Sequence, residues 1–137
     1  RGHHLVRATH PMTFEVTTEG HLTCQGDCII GVRADMGAGG LSQEFRKVLA
    51  DDGAVLITRL TAGGHTVEVR GRGSSKMTLG HPTDLVWRRS SFVCGRTVAI
   101  LCDRTAATLP RELVQALREG AELVVEMVAV VEEVTPP

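Results

Sequence analysis

CIIGVRADMGAGGLSQEFRKVL, residues 28–49, decides the fold, because RTVAILCDRTAATLPRELVQAL, residues 96–117, lies over it without a gap at an offset of 68. Asp35 falls on Asp103, Ala38 on Ala106, Leu41 on Leu109, Glu44 on Glu112 and Leu49 on Leu117. The apolar pattern agrees as well, with Ile30 over Val98, Val32 over Ile100 and Phe45 over Leu113. In both stretches a short apolar run, too brief for a helix, reads as a buried strand, and one-face apolar spacing after it reads as a helix. Dropping one residue carries DDGAVLI onto REGAELV, and at an offset of 71 ATHPMT meets LGHPTD, so His10-Pro11 falls on His81-Pro82. An internal duplication explains this agreement of identity, pattern and order. The alternative is two strand–helix–strand units that share only binary patterning.

The remaining segments fit around these units. Residues 4–9 and 12–18 read as strands either side of His10-Pro11, the second alternating as TFEVTT. AVLITRL is a strand, AGGH a hairpin signal and TVEVRGR the returning strand. KMTL and DLVWRRSSFV continue the β-pattern. TLPRELVQALREG has helix marks: Thr108 as N-cap, Pro110 in the first turn and Gly120 past the end. AELVVEMVAVVEEV is a long final strand or strand pair. The expected fold is α+β: one β-rich domain over residues 1–137, barrel-like or made of two packed sheets, with two main helices outside. Its two pseudo-symmetric β-β-β-α-β repeats run over about 4–62 and 75–131 and are joined by a β-hairpin segment.

Composition narrows the class. A chain of 137 residues can bury a core without staples, and 42% apolar with 23% charged residues is ordinary globular usage. Aromatics are only 3%, so the core rests on Val, Leu and Ile, which favours β-structure. No apolar run reaches the roughly 20 residues of a membrane span. The start carries no signal-peptide hydrophobic segment, so a cytosolic protein is expected. Residues 59–104 hold eight Lys/Arg against three acids, a net of +5, while the first 58 residues sum to −2 and the last 33 to −4. Four cysteines are too few for a secreted disulfide scaffold. Cys28 and Cys102 read as small core hydrophobes, with a disulfide as the second option.

ATHPMTFEVTTEGHLTCQGDCIIGVRAD and SSFVCGRTVAILCDRTAATLPRELVQAL resemble the archaeal conserved proteins grouped as domain of unknown function 371. The likeness covers nearly the whole chain, and GAGG after Asp35 is a local departure from it. It implies an archaeal cytosolic protein of a family without an established activity, and it supplies no catalytic residues to carry over.

Five constellations can carry chemistry. Gly37, Gly39 and Gly40 before a helix could offer backbone N–H groups to a phosphate, although the matching RTAATL has no glycine. Asp35 and Asp103, each where a strand runs out before a helix, could face each other as a carboxylate pair or simply cap their loops. His10, Glu15, Asp27, His81 and Arg96 could combine an acid–base pair with an anion-holding arginine, or be turn devices and an Asp27–Arg96 structural ion pair. His21, Cys24 and Cys28, with Cys94, have tolerable zinc spacing but poor specificity, and no metal site is assigned. Arg70, Arg72, Arg88 and Arg89 with Trp87 could contact nucleic acid, or be charges that discourage edge pairing.

The resulting expectation is a small anionic metabolite or nucleotide bound between the two halves, lined by His10, Asp27, Asp35, Arg96 and Asp103. The alternative is an RNA-associated or protein-interaction module on the basic 70–96 surface. Cofactor and reaction type are left open, and a homodimer is compatible with the sequence.

Overall fold

The structure is a computed structural model that describes residues 1–22 and 26–131. It is an α+β fold of two sheets. The strands are β1 (Thr13–Thr17), β2 (Ile29–Gly31), β3 (Ala54–Ala62), β4 (His65–Arg72), β5 (Asp84–Arg88), β6 (Thr97–Ala99) and β7 (Val124–Val131). The helices are α1 (Gln43–Leu49) and α2 (Arg111–Arg118), each preceded by a 3₁₀ turn, at Ala38–Gly40 and Ala106–Thr108.

The four-stranded sheet has the order β2-β1-β5-β6. Its central pair, β1 and β5, is antiparallel, and each outer strand runs parallel to its inner neighbour. The three-stranded sheet has the order β4-β3-β7, antiparallel throughout. Alternation on β1 and β5 sends Phe14, Val16, Leu85 and Trp87 inward, where they join Leu56, Leu60, Val67 and Val69 of the other sheet in one buried core. Phe14 and Trp87 are cross-strand partners and stack at 4.7 Å. The Trp87 indole N–H donates to Thr58 Oγ1 at 2.9 Å, a fully buried bond between the sheets. Helix α1 packs on β7 and β3, and α2 on β3, β4 and β2.

The two strand–helix–strand stretches make similar backbone bonds at the offsets read from the sequence. Glu15 N–H donates to Cys28 O at 2.9 Å, as Val86 N–H does to Arg96 O at 2.8 Å. Ala34 N–H reaches Thr17 O, and Cys102 N–H reaches Arg88 O, both at 3.0 Å. Gly39 N–H donates to His81 O at 2.8 Å, and Ala107 N–H returns the bond to His10 O at 3.0 Å. The non-glycine residues in the left-handed region also pair off: Ala8 and Leu79 both at φ 50°, Arg33 at 56° and Leu101 at 52°. The correspondence reaches further upstream than residue 4. Val32 N–H bonds Arg1 O at 2.7 Å as Ile100 N–H bonds Arg72 O at 2.9 Å. Gly2 N–H bonds Ala121 O at 2.9 Å as Gly73 N–H bonds Ala54 O at 3.0 Å.

Several local expectations change. Residues 4–9 and KMTL are not strands, so each unit runs β-β-α-β rather than β-β-β-α-β. Tight turns, Val6 N–H to His3 O and Met77 N–H to Ser74 O, and the positive φ at Ala8 and Leu79 bend these segments out of extended pairing. Thr108 does not cap α2: its hydroxyl accepts from Thr105 N–H at 2.9 Å inside the preceding 3₁₀ turn, and Pro110 takes the cap position. Ser42 caps α1 by accepting from Phe45 N–H at 3.2 Å. The AGGH hairpin is a two-residue turn in which Gly63 and Gly64 supply φ of 57° and 80°.

Candidate functional site

The other face of the four-stranded sheet carries the more polar half of the same alternation, Thr13, Glu15 and Thr17 on β1 beside Arg88, Val86 and Asp84 on β5, with Glu15, Thr17 and Val86 buried. Glu15 and Val86 are direct partners at the middle of the β1–β5 ladder, where the two units meet. Arg96, one residue ahead of β6, reaches over this seam. Its Nη1 lies 2.8 Å from Glu15 Oε1 and 3.2 Å from Asp84 Oδ2. The Glu15 side chain is 7% exposed and that of Asp84 17%, but Arg96 keeps 41% of its side chain in solvent. One guanidinium thus bridges two shielded carboxylates, also hydrogen-bonds Cys94, and leaves part of its side chain in solvent.

Two carboxylates set this close repel each other's charge, and burial adds to the cost of ionising both. Burial, then the charge of Asp84, pushes Glu15 up to about 7, against the pull of Arg96. Asp84 goes the other way. Burial alone would raise it, but hydrogen bonds from Thr17, Thr83 and Arg96, with His81 nearby, hold it below its usual value. The pair splits as two carboxyls sharing a proton do, with Glu15 keeping it longer.

A second cluster adjoins the first. Arg88 Nε donates to Thr97 Oγ1 at 2.9 Å and Nη2 lies 3.3 Å from Cys94 Sγ, while the guanidinium sits 4.9 Å over the Phe92 ring. Burial would raise the Cys94 thiol, but hydrogen bonds from Arg96 N–H, Thr97 and Arg88 bring it down to about 7. Cys28 and Cys102 move oppositely, pushed up by burial to about 11 and about 12. Cys28 Sγ lies 3.9 Å from Glu15 Oε2, and the described cysteines are free.

His10 and His81 are turn devices, and His81 is also a neighbour of the cluster. His10 Nδ1 accepts from Met12 and Thr13 N–H, both at 3.1 Å. His81 Nδ1 accepts from Thr83 N–H at 3.2 Å and Asp84 N–H at 3.0 Å, leaving Nε2 to carry the proton 3.9 Å from Asp84 Oδ2. The Asp27 carbonyl accepts from Thr9 and His10 N–H at 3.0 and 3.2 Å, and the ion pairs of Arg96 go to Glu15 and Asp84 instead.

Asp35 and Asp103 serve different surroundings. Asp103 Oδ1 accepts from Arg70 N–H at 2.9 Å, tying the β6–α2 loop to β4. Asp35 lines a groove of about 940 Å³ between α1, the β2–α1 loop and β7. Two of the three glycine donors beside it are occupied: Gly39 N–H goes to His81 O and Gly40 N–H to Gly37 O. Gly37 and Gly39 are there for space. A Cβ on Gly37 would stand 2.6 Å from the Thr83 carbonyl carbon, and one on Gly39 2.9 Å from Gly80 O.

Arg70 and Arg72 lie on β4, Arg88 ends β5 and Arg89 follows it, so the basic set is divided between the sheets. Among the described residues no group of three or more His, Cys, Asp or Glu could hold a metal ion. Cys24, part of the zinc spacing, lies outside the described residues. No described helix is long and apolar enough to cross a membrane.

The sequence profile of the family described as "Domain of unknown function (DUF371)" matches residues 1–130. The chain belongs to that family. A relative from the archaeon Methanocaldococcus jannaschii, the uncharacterized protein MJ0206, is 37% identical over 128 residues, covering 93% of this chain and 94% of that protein. The match takes in both units and every residue of the Glu15–Arg96–Asp84 cluster. Asp84 is not among the candidates read from the sequence, and Arg88 and Cys94 are there only for nucleic-acid contact and zinc spacing. Their signal was the alternation of DLVWR, which puts Asp84 and Arg88 on the Glu15 face once β1 and β5 pair.

Proposed function

We propose that the chain is two copies of one unit related by a half-turn, and that it binds a small anionic metabolite or nucleotide on the more polar face of the four-stranded sheet. The recurring backbone bonds and positive-φ pairs support the first part. The second rests on one observation: Arg96 bridges Glu15 and Asp84 at the seam while 41% of its side chain stays open, and Glu15 titrates at about 7. Near neutral pH Glu15 is part protonated; once it is fully protonated Asp84 alone balances the guanidinium, and an anion can approach without facing a second carboxylate charge. An incoming anion takes over as its counterion, Glu15 completes its protonation, and its acid O–H becomes a donor to the ligand. Binding is therefore coupled to proton uptake.

The alternative, an RNA-associated or protein-interaction surface over residues 70–96, has less behind it, since Arg88 is committed to Thr97, Cys94 and the Phe92 ring. The test is a ¹⁵N-detected titration with inorganic phosphate, a nucleoside monophosphate and citrate. Saturable shifts at Thr17, Asp84, Arg96 and Thr97, weakened by salt and lost in Arg96→Gln, are expected. Shifts confined to Arg70, Arg72 and Arg89, with saturation by single-stranded RNA, would replace the reading by its alternative.

A further inference from the structure

The turn that leads into β6 holds side chains that the matching turn into β2 lacks. At an offset of 68 Cys94 and Thr97 fall on Gly26 and Ile29, and at an offset of 71 Arg88 falls on Thr17. The backbone closes all the same: Ile29 N–H donates to Gly26 O at 3.3 Å, as Thr97 N–H donates to Cys94 O at 3.0 Å. Cys94, Thr97 and Arg88 are therefore not residues that the turn needs in order to form.

Thr97 sets the polarity of the group. It is fully buried, and its Oγ1 accepts two bonds, from Cys94 N–H at 3.0 Å and from Arg88 Nε at 2.9 Å. A hydroxyl has two acceptor sites and one proton. With both acceptor sites taken, the proton is left for Cys94 Sγ, 3.6 Å away. Arg88 Nη2 reaches the same sulfur at 3.3 Å, and Arg96 adds its backbone N–H and its guanidinium. All of these groups donate, so the sulfur is held as an acceptor, which suits a thiolate and not a thiol. Cys28 is the opposite case, with a carboxyl oxygen of Glu15 at 3.9 Å to accept its S–H. Cys94 is partly exposed, and the Phe92 ring beside it, itself 59% exposed, holds Arg88 in place at 4.9 Å.

We propose that Cys94 is a site of reversible oxidation by hydroperoxides, with Thr97 and Arg88 as the donors that activate the O–O bond. The thiolate attacks the hydrogen-bearing oxygen of the peroxide. An S–O bond forms, the O–O bond breaks, and sulfur gives up two electrons. The product is Cys94 sulfenic acid, and the leaving hydroxide or alkoxide takes a proton from water. As the sulfur lone pair goes into the new bond, the Thr97 O–H and an Arg88 N–H lose their acceptor and turn to the peroxide oxygens, where negative charge grows. A small-molecule thiol reverses the change in two steps: the first molecule expels water and leaves a mixed disulfide, and the second frees Cys94 by exchange. An alkylating agent gains little from the same donors, because iodide leaves without hydrogen bonds. The proposal does not depend on anion binding at Arg96.

The experiment treats the reduced whole chain with hydrogen peroxide in the presence of dimedone, and peptide mapping by mass spectrometry locates the adduct. Iodoacetamide rates across pH give the thiolate fraction by which each peroxide rate is normalised. The adduct should form at Cys94 ahead of Cys28 and Cys102, and without dimedone dithiothreitol should restore the thiol. The normalised rate should exceed that of free cysteine by roughly tenfold or more, and Thr97→Val and Arg88→Gln should each remove roughly tenfold of it. Thr97→Ser should restore the rate, and the normalised iodoacetamide rate should stay near that of the parent in every variant. Tryptophan fluorescence verifies folding; if Thr97→Val does not fold, Arg88→Gln decides. A normalised rate no higher than that of free cysteine would overturn the proposal. So would oxidation at Cys28 or Cys102 first, or variants that slow both reagents alike.

Discussion

Replacing Glu15 by Gln keeps the shape of the side chain and removes its titration, which isolates what the seam does to stability. In the folded chain the carboxyl titrates at about 7 rather than at its ordinary 4.5. A raised folded pKa means that the native state holds the proton more tightly than the unfolded one. That contribution is fully present below about 4.5 and is lost as pH rises through 7. At about 1.4 kcal/mol per unit the ceiling is about 3 kcal/mol, and solvent around Arg96 reduces it to roughly 1–2 kcal/mol. Urea denaturation at pH 5, 6, 7 and 8 measures it as a difference. Relative to Glu15→Gln, the parent should lose roughly 1–2 kcal/mol between pH 5 and 8, in a steady fall from pH 5 to about 7 that levels off above it. The constant offset between the two proteins is irrelevant; its slope is the test. A difference that is flat from pH 5 to 8, or that changes only below pH 5, would refute the reasoning.

Other perturbations probe the rest of the molecule. Iodoacetamide should modify Cys94 well before Cys28 and Cys102, with a rate that titrates near pH 7, as peptide mapping of the native protein will read; Arg88→Gln should move that midpoint upward. Thr58→Val conserves volume but strands the Trp87 indole N–H in the core, which should cost about 1–3 kcal/mol in denaturation followed by the single tryptophan. Leu101→Gly should stabilise by about 0.5–1 kcal/mol, because the residue is 56% exposed and sits at φ 52°, where the strain relieved exceeds the entropy glycine adds.

The sequence carried those features of the fold that are local. Residues 28–49 and 96–117 matched because strand, 3₁₀ turn and helix each leave their own pattern, and AGGH named its hairpin. What alternation could not supply was partnership. Glu15 and Arg96 stood in one candidate set, but only the β1–β5 register puts Asp84 next to Glu15 and Arg96 over both. The expected Asp27–Arg96 contact failed for the same reason, since strand neighbours in the chain are not neighbours across a ladder. His10-Pro11 and His81-Pro82 were legible as turns, but the positive φ at Ala8 and Leu79 that bends the chain ahead of them leaves no mark in residue type. The glycines before α1 misled, because close packing against the Thr83 backbone and a phosphate cradle ask for the same residue.

The most direct measurement is a ¹³C-carboxyl titration of Glu15 in the intact chain, alone and with saturating inorganic phosphate or a nucleoside monophosphate. The account predicts a midpoint near 7 in the free protein and a clear upward move when an anion reaches Arg96. A midpoint below 5, or one near 7 that no anion moves, would contradict it.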